Sequence, residues 1–222
     1  LGVNNPTTVY LLALMGGTLA YAIVSMLSLV TGLRMLSFIL AGVAVGYAAW
    51  ALSVIVIVRY MARVQGGILW LFGSVAYVTR LQVLLSTVLV AISISWLIVR
   101  RKGLSALLLG DEVAEATGYN VKMLRYEAFL ASSALTAAAV ALAGPIGFVG
   151  LVAPWLARAL LGSIYARLLL FSSLMGGWML LSSDILVRAI FAPVEVPLTA
   201  ITSLIGVPVM VYIMSKFRGA QE

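Results

Sequence analysis

The stretch GDEVAEATGYN, residues 110–120, is a polar interruption in a largely apolar chain, and its reading decides the fold. It carries three acids, Asp111, Glu112 and Glu115, and follows three consecutive bases, Arg100, Arg101 and Lys102, with only GLSALLL between. DEVAEAT has good helix formers, and its acids fall in the first turns, where they complement the positive end of a helix. Gly118 is placed to end that helix in a left-handed cap. Asn120 can then cap a following helix that begins near Val121. The expectation is a short helix, a tight turn and a long helix, with Val113, Ala114 and Thr117 giving the short one a less polar face. A plain solvated loop needs neither cap, and acids beside bases offer a partner both signs to read. A docking element therefore fits the pattern better than a linker.

The surroundings fix the class. Hydrophobic residues make up 64% of the chain and charged residues 9%, with a mean hydropathy of +1.16. Soluble domains carry about 25% charged residues. So few charges cannot cover a water-facing surface, so the chain reads as an integral membrane protein. The net charge of +7 does not indicate nucleic-acid binding, because the bases sit at the ends of apolar runs rather than on a soluble face. Cys and His are both absent, which removes disulfides, thiolate chemistry, the usual zinc sites and imidazole acid–base catalysis. No catalytic constellation and no metal site is legible, which leaves an intramembrane enzyme without support.

A helix needs about 20 apolar residues to cross the hydrocarbon core. Seven candidate spans result: residues 8–30, 36–58, 81–99, 124–142, 148–161, 168–190 and 198–214. The run VQGGILWLFGSVAYV, residues 64–78, is interrupted by Gly66, Gly67 and Gly73 and bounded by Arg63 and Arg80, which predicts an interfacial or re-entrant helix. The fold class is all-α, a polytopic transmembrane bundle forming one domain over residues 1–222.

Orientation follows from the bases. With Leu1 outside, the inner side receives Arg34, Arg100, Arg101, Lys102, Lys122, Arg125, Arg158, Arg167, Lys216 and Arg218. The outer side receives only Arg59, Arg63, Arg80 and Arg188. This asymmetry places residues 110–120 in the cytoplasm. LGVNNP at the start is no signal peptide, and with no initiator Met the sequence reads as a fragment.

Small residues mark two spans. Gly16 and Gly17 lie in the first, and Gly42 and Gly46 sit four apart in the second. Such spacing allows close helix packing, or a smooth wall along a pathway. AGPIGFVG, residues 143–150, lies at the outer end of the fourth span, where its glycines permit a sharp reversal and Pro145 stiffens it. No Lys-Ser or Lys-Thr follows, so it is not a phosphate loop. If ATP is involved, another polypeptide binds it.

Three blocks carry a resemblance to a known family: LLLGDEVAEATGYNVKMLR (107–125), LTAAAVALAGPIGFVGLVAPWLAR (135–158) and SSDILVRAIFAPVEVPLTAITSLIGVPVMVYIM (182–214). In order and spacing they resemble the FecCD-type permeases of binding-protein-dependent ABC importers for cobalamin, iron–siderophore complexes and haem. The resemblance runs from about residue 36 to 217. It implies ten helices per subunit and a pore made by two copies, so the seven spans match the fourth to tenth and about three N-terminal helices are absent.

The resemblance also implies roles. Residues 110–120 correspond to the cytoplasmic coupling helices that sit in a groove of an ABC ATPase subunit. Gly110, Glu112, Ala114 and Gly118 match the pattern there, with Asp111 and Glu115 beside them. ATP stays on the partner, and this chain itself binds no cofactor. Arg188 corresponds to an arginine that pairs with a glutamate of an extracytoplasmic binding protein. The alternative for it is a snorkelling Arg paired with Asp184. The path is implied along Gly42, Gly46, Thr199, Thr202 and Ser203, with a gate at Thr31, Gly32, Arg34 and Met35. Trp155 stands where many members carry His, so nothing tied to that imidazole transfers. Substrates of the family include cobalamin, siderophores, haem and oxyanions, among which an iron complex is favoured. The rival is an ion-coupled secondary transporter, which needs intramembrane carboxylates. The span assignment places Asp184 inside a span, near its outer end, and Glu195 in an outer loop.

Overall fold

A computed structural model describes residues 6–30, 35–60, 71–76, 78–162, 164–194 and 196–218. Among the described residues nine helices follow one another: α1 (Pro6–Val30), α2 (Met35–Arg59), α3 (Arg80–Val99), α4 (Arg101–Leu109), α5 (Asp111–Ala116), α6 (Val121–Ala143), α7 (Val149–Leu161), α8 (Tyr165–Phe191) and α9 (Leu198–Arg218). No strand occurs among them. Five helices, α1, α2, α3, α6 and α8, are long and apolar enough to cross a membrane, and α7 and the Leu198–Ile213 part of α9 are shorter apolar segments. The protein is an all-α, multi-pass protein of the cell membrane. Of the interfacial or re-entrant helix expected over residues 64–78, residues 64–70 and 77 lie outside the described residues, and from residue 72 onward the described ones form turns and irregular backbone rather than helix.

Helix starts are locally encoded. Pro6 opens α1 at the first helical position, where its missing N–H costs nothing. Thr79 caps α3: its hydroxyl accepts from the Gln82 N–H, and the Gln82 Oε1 accepts from the Thr79 N–H at 2.8 Å, a reciprocal capping box. Asn120 caps α6 through its Oδ1, which accepts from the Met123 N–H at 3.1 Å.

The helices divide into two compact units, one of Leu1–Ile68 with Tyr77–Leu142, the other of Leu69–Ala76 with Ala143–Glu222. In the first, α1 is the hub. Gly17 lets α6 approach so closely that a Cβ there would lie 2.9 Å from the Ala137 Cβ. The fully buried Tyr10 shares a 2.8 Å hydrogen bond with Ser86 of α3, and the Tyr21 and Phe38 rings each pack against the Phe129 ring at a tilt. No described side chain of α2 is buried, and Gly42 and Gly46 face open space. Apolar exposure carries no penalty against lipid tails, so α2 needs no further partner within the chain to be stable there.

In the second unit, α7 packs along α8, with Gly176 seated against Val149 and Ala153. The reversal expected at residues 143–150 is present, and Phe148 takes the left-handed φ of 66° that starts α7. That backbone costs about 1–3 kcal/mol and persists only where its surroundings dictate it. Here Gly206 of α9 receives the ring, since a Cβ at Gly206 would fall 2.7 Å from the Phe148 Cβ. Two hydroxyls of α9 fasten the loop: Thr199 donates to the Pro145 carbonyl at 2.9 Å, and Thr202 to the Gly147 carbonyl at 3.0 Å.

Candidate functional site

The polar stretch folds as its caps dictate. Gly118 adopts φ +83°, the N–H of Tyr119 reaches the Ala114 carbonyl at 3.0 Å, and that of Gly118 reaches the Glu115 carbonyl at 2.9 Å. These paired bonds are the Schellman arrangement that closes a helix C-terminus. Asp111 and Glu112 occupy the first turn of α5. A six-residue helix cannot stand alone in water. What holds α5 is tertiary: Ala114 is fully buried and packs with Ala106 of α4 and Val121 of α6. On the outside, one nitrogen of Arg125 donates to both Asp111 oxygens, at 2.7 and 2.8 Å. An exposed pair of this kind contributes at most about 1 kcal/mol, so it orients more than it binds.

Glu112, Val113 and Glu115 are exposed, as are Leu108 and Leu109 of α4.

Sequence reasoning missed α4 and what fixes it. Arg100 is at once the C-cap of α3 and the N-cap of α4, so the chain turns a corner at one residue. Gly103 lies so close to α6 that a Cβ would meet both Leu124 and Tyr119 at 3.0 Å. Arg100 grips Glu127 of α6 with a two-point fork, Nε to Oε2 and Nη2 to Oε1, both at 2.6 Å. The hydrogen-bonded carboxylate holds the Arg100 guanidinium above its ordinary pKa. Glu127 is buried and lies within the predicted span 124–142, where it is a carboxylate the span assignment overlooked. An acid in an apolar run is itself the available signal, because such a group almost always has a partner.

The second unit presents a cleft of about 350 Å³ lined by Ser74, Val75, Ala76, Asp184, Arg188 and Pro193, with further apolar residues around them. Arg188 stands at its edge, exposed, with its Nε donating to Asp184 Oδ2 at 2.8 Å. The snorkelling geometry is therefore present, and the guanidinium still reaches the surface. Main-chain bonds brace the cleft floor: the Ser74 N–H donates to the Ala143 carbonyl, and the Leu198 N–H to the Gly73 carbonyl.

The residues expected along a path fall in both units. Gly46 lies with Val43, Tyr47 and Trp50 in an open apolar pocket of about 360 Å³. Thr202 is fully buried, with its hydroxyl committed to Gly147, while Thr199 and Ser203 lie beside it against the same loop. The gate at Thr31, Gly32 and Arg34 lies outside the described residues, and Met35 opens α2. Trp155 is capped by the Arg158 guanidinium, 5.6 Å from its ring centroid.

A model of the FecCD transport family matches residues 1–216. The chain is 34% identical over 209 residues to YfhA of Bacillus subtilis (strain 168), named a probable siderophore transport system permease; the match covers 94% of this chain and 61% of YfhA. It is 34% identical over 217 residues to the vitamin B12 import system permease BtuC of Vibrio cholerae serotype O1, covering 96% of this chain and 65% of BtuC. The chain thus spans less than two thirds of these relatives. Among solved structures, a chain of a transporter described as metal-chelate type and ABC class, in an inward-facing conformation, superposes with a TM-score of 0.80 at 27% identity, covering 92% of this chain and 72% of that one. With the family model matching nearly its whole length, the chain belongs to the FecCD transport family.

Proposed function

We propose that this chain is the membrane-spanning permease part of an ATP-driven ABC importer that passes a metal chelate, an iron complex first among the candidates, by alternating access. Two copies form the path, and a separate ATPase subunit holds the nucleotide. The observation that carries this reading is α5: a helix of six residues, capped at its end, buried on Ala114 and exposed on Glu112 and Glu115. So short a helix exists only because its neighbours hold it, which is what a lever gripped by another protein requires. Closure of an ATPase dimer on ATP displaces such a lever as a unit, and the permease rocks between outward-open and inward-open states. The names of the relatives, which include permeases for siderophore, B12 and citrate–iron import, support the substrate class.

The carboxylates within the described spans do not favour ion coupling, since Glu127 and Asp184 are each engaged by an arginine. The test is purification of the full-length protein from membranes, followed by uptake into vesicles. An ATP-hydrolysing subunit should copurify in equal amount, and accumulation of an iron chelate should require ATP. Uptake driven by a proton or sodium gradient, with no ATPase present, overturns the proposal.

Arg188 is the docking contact for an extracytoplasmic binding protein in this reading. Arg188→Glu should weaken capture of the loaded binding protein about tenfold, since it sets like charges face to face in a rim contact. Titration of the binding protein onto the reconstituted permease measures this, and an unchanged affinity removes the assignment.

A further inference from the structure

We propose that Arg100 and Glu127 are positioning residues that lock the ends of α3 and α6 into one body, so that a displacement of α5 moves both helices together. This rests on the coupling role given to α5 above.

The argument starts from connectivity. α5 is tied to α6 directly, through the turn at Gly118, the Asn120 cap and the Asp111–Arg125 pair. Its route to α3 is different. It runs through α4, which turns away from α3 at Arg100, with φ −84° and ψ 5°. A corner one residue wide bends under load unless something braces it. The Arg100 fork on Glu127 is that brace: it pins the corner to α6 seven residues after the Asn120 cap.

Energetics explain why an ion pair stands there. Burying two charges is costly, and an apolar pair of similar volume often stabilises as well or better. What a two-point guanidinium–carboxylate fork adds is fixed distance and fixed orientation. An apolar contact can slide along a helix, whereas a planar fork cannot. The Glu127 side chain is 10% exposed and that of Arg100 33%, so the carboxylate depends on the pair while the guanidinium keeps access to water. Losing the carboxylate charge therefore releases the corner without stranding a charge in lipid.

The experiment uses the full-length permease assembled with its ATPase and binding protein in vesicles. Glu127→Gln and Arg100→Lys are each measured for chelate accumulated per ATP hydrolysed. Both keep the side-chain volume close, and each destroys the fork. We expect ATP hydrolysis to persist while the transported-to-hydrolysed ratio falls about tenfold. The charge-swapped double variant, Arg100→Glu with Glu127→Arg, should recover much of the ratio. A purely structural pair gives another result: transport and hydrolysis fall in proportion, in step with lost assembly, and the ratio holds. That outcome, or an unchanged ratio in both single variants, overturns the inference. Absence of ATP-dependent uptake in the unmodified transporter instead overturns the importer reading and this inference with it.

Discussion

Gly73→Ala should destabilise the protein by about 3 kcal/mol, which sums a left-handed backbone penalty and an overpacking penalty. Gly73 sits at φ +83°, and a Cβ there would lie 2.9 Å from both Ile146 Cγ1 and the Pro145 carbonyl oxygen, and 3.1 Å from Thr199 Oγ1. None of these neighbours can easily retreat. The Pro145 carbonyl accepts the Thr199 hydroxyl, and the Gly73 carbonyl accepts the Leu198 N–H. Gly118 supplies the internal control, because it has the same φ of +83° but nothing within 4 Å of a built Cβ. Gly118→Ala should therefore cost only the conformational part, about 1 kcal/mol. Thermal unfolding in detergent, read for both variants, separates packing from backbone. Equal losses would show that the fit around Gly73 contributes nothing.

That contrast also explains what the sequence could and could not reveal. Gly118 was legible because its reason is local: helix formers before it, Asn120 after it, and a cap between. The long helices were legible for a similar reason. Runs of apolar residues bounded by bases predicted residues 8–30, 36–58 and 81–99, and α1, α2 and α3 end within two residues of those limits. α6 and α8 begin about three residues earlier than their apolar cores, because Lys122 and Arg167 prolong a helix without needing to be apolar. Gly73 was noticed only as an interruption, since its contacts with Ile146 and Thr199 come from sites far along the chain.

The same distance hid α4. Arg100, Arg101 and Lys102 read as a basic end to a span, and nothing local says that a new helix starts on the second of them. The Glu127 fork and the close approach of Gly103 to Leu124, both from sites far along the chain, help fix that corner. For Thr202, the resemblance supplied a helix but not a face. The face is set by the loop at Gly147, whose carbonyl takes the hydroxyl.

Glu112 and Ala114 sit two residues apart on α5, and substitutions there should fail in opposite ways. Ala114 has no exposed surface and touches Ala106 and Val121. Leucine at 114 must push α5 off α4 and α6, a strain of about 1–3 kcal/mol that a six-residue helix cannot absorb. Ala114→Leu should therefore loosen the segment, raising proteolysis between residues 109 and 119 and lowering copurification of the ATPase. Glu112 is exposed at the surface of α5. Glu112→Arg should leave the segment protected and the ATPase bound less tightly, with transport down about tenfold or more if the partner presents a basic groove. Limited proteolysis beside an uptake assay distinguishes the two. The decisive result concerns Glu112: a variant that stays protected yet transports at the normal rate would mean that no partner reads this face, and α5 would then be a structural corner rather than a lever.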